Sequence, residues 1–245
     1  MEIVYRRPEG LLPVSSGFCP GCMHTTAHKI ICEVLEEKGL IGRTIMVTPV
    51  GCAINSAKYF DLDMLTSLHG RASANAVGCK SIQKDKLVMV YQGDGDYGSI
   101  GWTETFYAAN RGDPITVIAI NNQIYGMTGG QTSPCTLIGQ KTTTAINGRD
   151  PEKTGYPVHF PEILATLPAT GYVARFALHT PKNILAAKKG IAKAVDLQLN
   201  EGKYSFIELL SSCPTNWHIE PADAPAFMEK NVLPVFPLGE FKVSD

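Results

Sequence analysis

The chain lacks any surplus of charge: 22 Lys and Arg stand against 23 Asp and Glu, a net charge of −1. Without a basic field there is no electrostatic case for binding nucleic acid or an anionic membrane surface. Long apolar runs are also missing, because polar residues or glycine interrupt each hydrophobic stretch well short of a bilayer span. The opening Met-Glu-Ile-Val-Tyr-Arg-Arg has no hydrophobic core of a signal peptide, so a cytoplasmic protein is expected. No repeat and no low-complexity segment stands out. What is left is 245 residues at 44% hydrophobic and 18% charged, enough to bury one full core.

Two short motifs carry the strongest chemistry. Gly93-Asp94-Gly95-Asp96 follows the apolar run Leu87–Tyr91, and Asn121-Asn122 follows Ile115–Ile120. Both runs read as buried parallel strands. Between them Trp102–Asn110 has helical character, stopped by Gly112-Asp113-Pro114, so the unit is strand, helix, strand. Glycines 93 and 95 allow backbone to approach a phosphate closely, and the next helix start aims N–H groups at it. Asp94 and Asn122 offer the hard oxygen ligands that magnesium prefers. The pair can therefore hold a divalent metal over a diphosphate. The plain alternative is a Gly/Asp turn and an ordinary Asn-Asn loop.

Seven cysteines, in a protein expected to be cytoplasmic, argue for metal binding or reactivity over disulfides. Cys19-Pro20-Gly21-Cys22 is a tight turn with two sulfurs on one side. Cys52 follows the run Ile45–Val50, and Cys213 follows Tyr204–Leu210. Both therefore sit at carboxyl ends of strands, where ligands of open parallel sheets gather. Four thiolates converging there suit zinc or an iron–sulfur cluster. Cys32 falls on the apolar face of a helix and reads as a small buried hydrophobe. Cys79 and Cys135 have no partner spacing and read as structural.

Taken together, these motifs resemble the thiamin-diphosphate-binding beta subunit of 2-oxoacid:ferredoxin oxidoreductases. The resemblance rests on Cys19-Pro20-Gly21-Cys22, Gly51-Cys52, His69-Gly70-Arg71 and Tyr91-Gln92-Gly93-Asp94-Gly95-Asp96. It continues through Asn121-Asn122-Gln123-Ile124-Tyr125-Gly126-Met127-Thr128-Gly129-Gly130-Gln131 and ends at Cys213-Pro214-Thr215-Asn216-Trp217. It implies thiamin diphosphate held by Gly93 to Asp96, Asn122 and Ile124 to Thr128, with Mg2+ on Asp94, Asn122 and the Ile124 carbonyl. It further implies a 4Fe–4S cluster on Cys19, Cys22, Cys52 and Cys213, and His69 and Arg71 at the cofactor. Coenzyme A would be the co-substrate and ferredoxin the electron acceptor.

Thiamin enzymes need a glutamate to activate the cofactor, and none is obviously placed here: Glu104 follows GDGD on a helix, and Glu33, Glu36 and Glu37 read as a solvated face. In the family that glutamate comes from an alpha subunit. The resemblance thus implies an alpha partner, with gamma and ferredoxin-like delta subunits beside it. Asn55, three positions after Cys52, stands where 2-oxoglutarate enzymes tend to carry a basic residue. An uncharged amide disfavours a dicarboxylate. Branched-chain 2-oxoacids (2-oxoisovalerate) are favoured, then 2-oxoglutarate, then pyruvate, although Lys58 lies nearby. Rival readings are a cluster-free thiamin decarboxylase or synthase, a structural zinc protein, and an electron-transfer or scaffold subunit without cofactor.

The expected fold is α/β, the thiamin-diphosphate-binding type, with a central parallel sheet and helices on both faces. Strands are expected near 44–50, 87–91, 115–120, 172–177 and 204–210, and helices near 24–38, 71–83, 101–111 and 181–199. Residues 1–213 are expected to form the cofactor domain. The proline-rich stretch 214–245 reads as an extension packed on that domain or on a partner.

Overall fold

The computed structural model describes residues 5–244; the first four residues of the opening segment lie outside them. Among these residues nine strands form: β1 Thr44–Pro49, β2 Asp63–Ser67, β3 Leu87–Gly93, β4 Thr116–Asn121, β5 Ile124–Tyr125, β6 Gln131–Thr132, β7 Thr170–Ala177, β8 Tyr204–Leu210 and β9 Gly239–Val243. The α-helices are α1 His24–Glu37, α2 Ala72–Ile82, α3 Trp102–Arg111, α4 Pro151–Thr154, α5 Phe160–Ala165, α6 Pro181–Glu201, α7 Pro214–Trp217 and α8 Ala224–Phe227.

Seven strands make one sheet in the order β2-β1-β3-β4-β8-β7-β9, and β5 pairs with β6 as a separate hairpin. The inner strands β4 and β8 are buried at every position, as continuous apolar runs require. Helices α2, α3 and α5 pack together on one face, and α1 packs on α6 over the other. Thr180 and Pro181 open α6, with Thr180 Oγ1 accepting from the Asn183 N–H, and Gly202 closes it at φ 63°.

All five expected strands and four expected helices form near their expected bounds. Two strands of the sheet were not foreseen. The edge strand β2 is half polar and mostly exposed, so it shows no buried run. Strand β9 comes from the proline-rich stretch and lies antiparallel along β7, so the sheet is mostly, not wholly, parallel. A π-helical turn at Asp96–Ile100 precedes α3, a local distortion frequent at functional sites.

An ionic network runs through the core. Arg175 on β7 and Glu208 on β8 are neighbours in register and fully buried. Arg175 Nε donates to Glu208, while its two terminal nitrogens donate to Glu162 at 2.7 Å each. Glu208 also accepts from Tyr97 Oη at 2.7 Å and Asn121 Nδ2 at 3.2 Å. Removing one partner of such a pair leaves a buried charge uncompensated. Glu208→Leu is expected to cost about 3–5 kcal/mol in chemical denaturation, far more than Glu162→Gln. Burial raises the Glu162 carboxyl pKa, but Arg175 outweighs that and holds it below the ordinary value. Its stabilising contribution is thus present at neutral pH and lost as pH falls through the folded value. Denaturation curves of wild type and Glu162→Gln should therefore converge in acid.

Candidate functional site

The loops that leave β1, β2, β3, β4 and β8 all emerge at the carboxyl edge of the sheet, and each carries motif residues: Cys52, His69, Asp94, Asn122 and Cys213. Between them lies a cavity of about 270 Å³, walled by Cys52, His69, Gly93 to Asp96, Asn122 and Ile124 to Thr128, with His24 from α1. A larger depression of about 680 Å³ lies among Arg43, Lys84 and Arg111 at the opposite edge. No motif residue lines it.

The Asn122 side-chain amide meets the Ile124 carbonyl oxygen at 2.8 Å and Asp94 Oδ1 at 3.3 Å, and with its nitrogen toward them it donates to both. Turned the other way it would bring three oxygens together, an arrangement that needs a cation among them. Neighbouring oxygens of an octahedron with metal–oxygen bonds of about 2.0–2.1 Å lie roughly 2.9 Å apart, so the arrangement fits a hard divalent cation. Burial pushes the Asp94 carboxyl up to about 7, against the lowering hydrogen bonds from Ser133 and the Gly95 backbone. A cation among the three oxygens would offset the cost of ionising it there. Ser133 Oγ donates to Asp94 Oδ2 at 2.5 Å.

The loop carrying Ser133 is held by Arg149, only 4% exposed. Its guanidinium donates to backbone carbonyls across the loop, among them Pro134 at 3.1 Å and Tyr156 at 3.0 Å. The ring of Tyr125 lies against Gly95, where a Cβ would come within 2.0 Å of it; only glycine fits. Tyr125 Oη donates to the Gly95 carbonyl at 3.2 Å.

His69 and Asp96 form a second feature. His69 Nδ1 lies 3.0 Å from Asp96 Oδ1 and 2.9 Å from the Val50 carbonyl oxygen. The Asp96 hydrogen bond raises the His69 pKa. Asp96 Oδ1 also accepts from the Gly70 N–H, so Asp96 pins the 69–70 loop. Arg71 departs from expectation: its guanidinium pairs with Glu104 and does not line the cavity. Glu104, the one glutamate near GDGD, is engaged in that pair. Asn55 is half-buried in the 3-10 turn Cys52–Lys58, and neither it nor the exposed Lys58 lines the cavity.

Cys52 brings a sulfur to the cavity wall, with Cys213 beside it. A Cβ on Gly126 would stand 3.2 Å from Cys52 Sγ and 3.6 Å from Cys213 Sγ, so both thiols flank one backbone position. Burial pushes the Cys22 thiol up to about 12, opposed by the His24 N–H and reinforced by Cys213, Cys52 and Cys19. Burial likewise drives Cys52 up to about 11, with Cys213 and Cys19 adding to it. The four thiols thus feel one another. Yet among the described residues no three His, Cys, Asp or Glu side chains converge closely enough for a single metal ion. Four thiol donors are of the type that zinc or an iron–sulfur cluster takes.

Ser133, Arg149 and His24 were absent from the expected set. Ser133 reaches Asp94 from 39 residues away, and no local pattern announces it. His24 Nδ1 lies 2.6 Å from Tyr91 Oη, and burial lowers its pKa to about 4, keeping the ring neutral. Its position two residues after Cys22 was the only available signal.

Residues 42–209 match the family model described as thiamine pyrophosphate enzyme, C-terminal TPP binding domain. The chain belongs to the thiamine pyrophosphate enzymes. It is 41% identical over 239 residues to ketoisovalerate oxidoreductase subunit VorA of Methanothermobacter thermautotrophicus, covering 98% of this chain and 50% of that protein. It is 37% identical to 2-oxoglutarate synthase subunit KorB of Methanocaldococcus jannaschii, covering 88% of this chain and 78% of that protein. The chain thus spans about half the length of the VorA relatives it matches. Its fold matches that of a 2-oxoglutarate:ferredoxin oxidoreductase from Magnetococcus marinus, solved with 2-oxoglutarate, coenzyme A and succinyl-CoA bound. The TM-score is 0.78 at 22% identity, over 99% of this chain and 86% of that one. Among the described residues no helix is long and apolar enough to cross a membrane.

Ser133→Ala should weaken divalent-cation binding about 10–100-fold, the usual cost of losing a group that orients a ligand. Titration with Mn2+ followed by electron paramagnetic resonance checks this, and circular dichroism should show the fold unchanged.

Proposed function

We propose that this chain is the cofactor-binding beta subunit of a CoA-acylating 2-oxoacid:ferredoxin oxidoreductase, with 2-oxoisovalerate as the favoured substrate. Thiamin diphosphate supplies carbanion-stabilising chemistry for decarboxylation, and a 4Fe–4S cluster supplies one-electron transfer toward ferredoxin. Asp94, Asn122 and the Ile124 carbonyl would hold Mg2+ on the diphosphate, with Ser133 orienting Asp94. Gly93 leaves open space beside the cavity for the phosphates, and Tyr125 to Thr128 wall its far side. Cys19, Cys22, Cys52 and Cys213 would hold the cluster. The single observation that carries the reading is the meeting of hard oxygen donors and cysteine sulfurs at one cavity: Asp94, Asn122 and Ile124 line it together with Cys52, and the Cys213 sulfur lies beside Gly126. A cluster-free decarboxylase has no use for the sulfurs.

The substrate reading rests on the cavity wall. Among the described residues no lysine or arginine lines it, so a distal carboxylate would lack charge-assisted pairing. Val50, Ala53, Ile124 and Met127 in that wall suit a branched aliphatic chain. Asn55 is uncharged and Arg71 is engaged by Glu104, in keeping with 2-oxoisovalerate as the first choice; 2-oxoglutarate and then pyruvate are the alternatives. No glutamate lines the cavity either, so the acid that activates the cofactor would come from an alpha subunit, with gamma and delta subunits completing the complex in the cytoplasm.

Anaerobically purified chain should carry roughly four iron and four sulfide per chain and absorb in the visible; stoichiometric zinc without iron would support the structural-zinc alternative instead. With its alpha partner and coenzyme A it should reduce viologen most efficiently with 2-oxoisovalerate, judged by kcat/KM across 2-oxoacids. Turnover by the lone chain would sink the shared-site reading. Asp94→Ala should abolish activity of the complex while its iron content is unchanged.

A further inference from the structure

We propose that Asn216 tunes the reduction potential at the four cysteines by donating a side-chain N–H to the Cys213 sulfur; this rests on the cluster reading above. Asn216 Nδ2 lies 3.3 Å from Cys213 Sγ and 3.2 Å from the Gly126 carbonyl oxygen. An amide nitrogen has two hydrogens, and both have acceptors here. The orientation is determined by chemistry, because the amide oxygen in that place would face a carbonyl oxygen and a thiolate.

The surrounding backbone is shaped to admit this side chain. A Cβ on Gly130, at φ 87°, would come within 2.9 Å of Asn216 Oδ1. One on Gly126 would stand 3.7 Å from Asn216 Nδ2, close to the two cysteine sulfurs. The loop after Ile124 is therefore bare where Asn216 and the sulfurs enter. The helical turn that carries Asn216 is itself anchored. Its N–H groups at 216 and 217 donate to the Cys213 carbonyl at 3.1 and 2.9 Å. Trp217 Nε1 donates to the Asn122 carbonyl at 3.0 Å. One amide thus bridges a cluster ligand and the loop that walls the cofactor cavity.

Each electron that enters the cluster adds a negative charge beside Cys213 and later leaves for ferredoxin; no bond or proton changes at Asn216. An N–H directed at the sulfur stabilises the reduced state, since hydrogen bonds to cluster sulfurs are one of the levers that set these potentials. Asn216→Leu keeps the branching and the number of heavy atoms and removes the donor. Asn216→Asp keeps the shape and replaces the donor with an anionic acceptor.

The test is a redox titration of full chain, purified anaerobically and reconstituted with iron and sulfide, followed by electron paramagnetic resonance. At a fixed potential Asn216→Leu should lower the reduced-to-oxidised ratio by about two- to tenfold, where tenfold corresponds to 59 mV for one electron. Asn216→Asp should lower it further. Potentials equal to wild type in loaded variants would overturn the role of Asn216 and leave the cluster reading standing. Wild-type chain that takes up no iron would overturn both. If neither variant holds a cluster, wild-type chain with asparagine labelled by 15N only in the side-chain amide decides. Pulsed resonance of the reduced cluster should show a nitrogen coupling, and its absence overturns the proposal.

Discussion

The carboxylate of Glu208 is the constraint on which the candidate site depends. It sits fully buried in the middle of the sheet, a costly position for a charge without partners. Its partners come from three other elements: Arg175 from the neighbouring strand β7, Tyr97 from the turn after Gly93-Asp94-Gly95-Asp96, and Asn121 from the end of β4. Two of these stand one or three residues from the proposed magnesium ligands Asn122 and Asp94. A single buried acceptor therefore indexes both motif loops to one point in the core. The cost of leaving it unpaired keeps them there.

From that anchor the site divides by chemical hardness. Asp94, Asn122 and Ile124 bring oxygen donors to the cavity wall, while Cys52 brings a thiol to it and the Cys213 sulfur lies beside Gly126. Each set suits a different class of metal centre. The two sets are joined mechanically through the turn Pro214–Trp217, where Trp217 holds the Asn122 carbonyl and Asn216 holds both Cys213 and Gly126.

Much of this was legible along the chain. Leu87–Tyr91 and Tyr204–Leu210 are apolar without interruption, because strands in the middle of a parallel sheet are covered on both faces. Their carboxyl ends therefore predicted where Asp94 and Cys213 gather. Strand β2 escaped because an edge strand need not be apolar, and β9 because prolines dominate its surroundings. Arg71 was expected at the cofactor from its neighbour His69, yet the chain turns between them, and its charge finds Glu104 33 residues away. Ser133 and Arg149 gave no signal at all. A serine that orients a carboxylate and an arginine that binds carbonyls are recognisable only by what they touch.

By itself the sequence determined the five inner and adjoining strands and the four long helices, which residue types stand at strand ends, and the membership in a family that those motifs carry. These depend on local periodicity, turn chemistry and the order of short motifs, all of which are written along the chain. Only the tertiary structure decided that the Asn122 amide meets the Ile124 carbonyl and Asp94 at 2.8 and 3.3 Å, that Asp96 serves His69 and the loop, and that Asn216 faces a sulfur. Those contacts join residues far apart in sequence. Their geometry is settled by how the buried charges and the packed sheet bring separate loops to one edge.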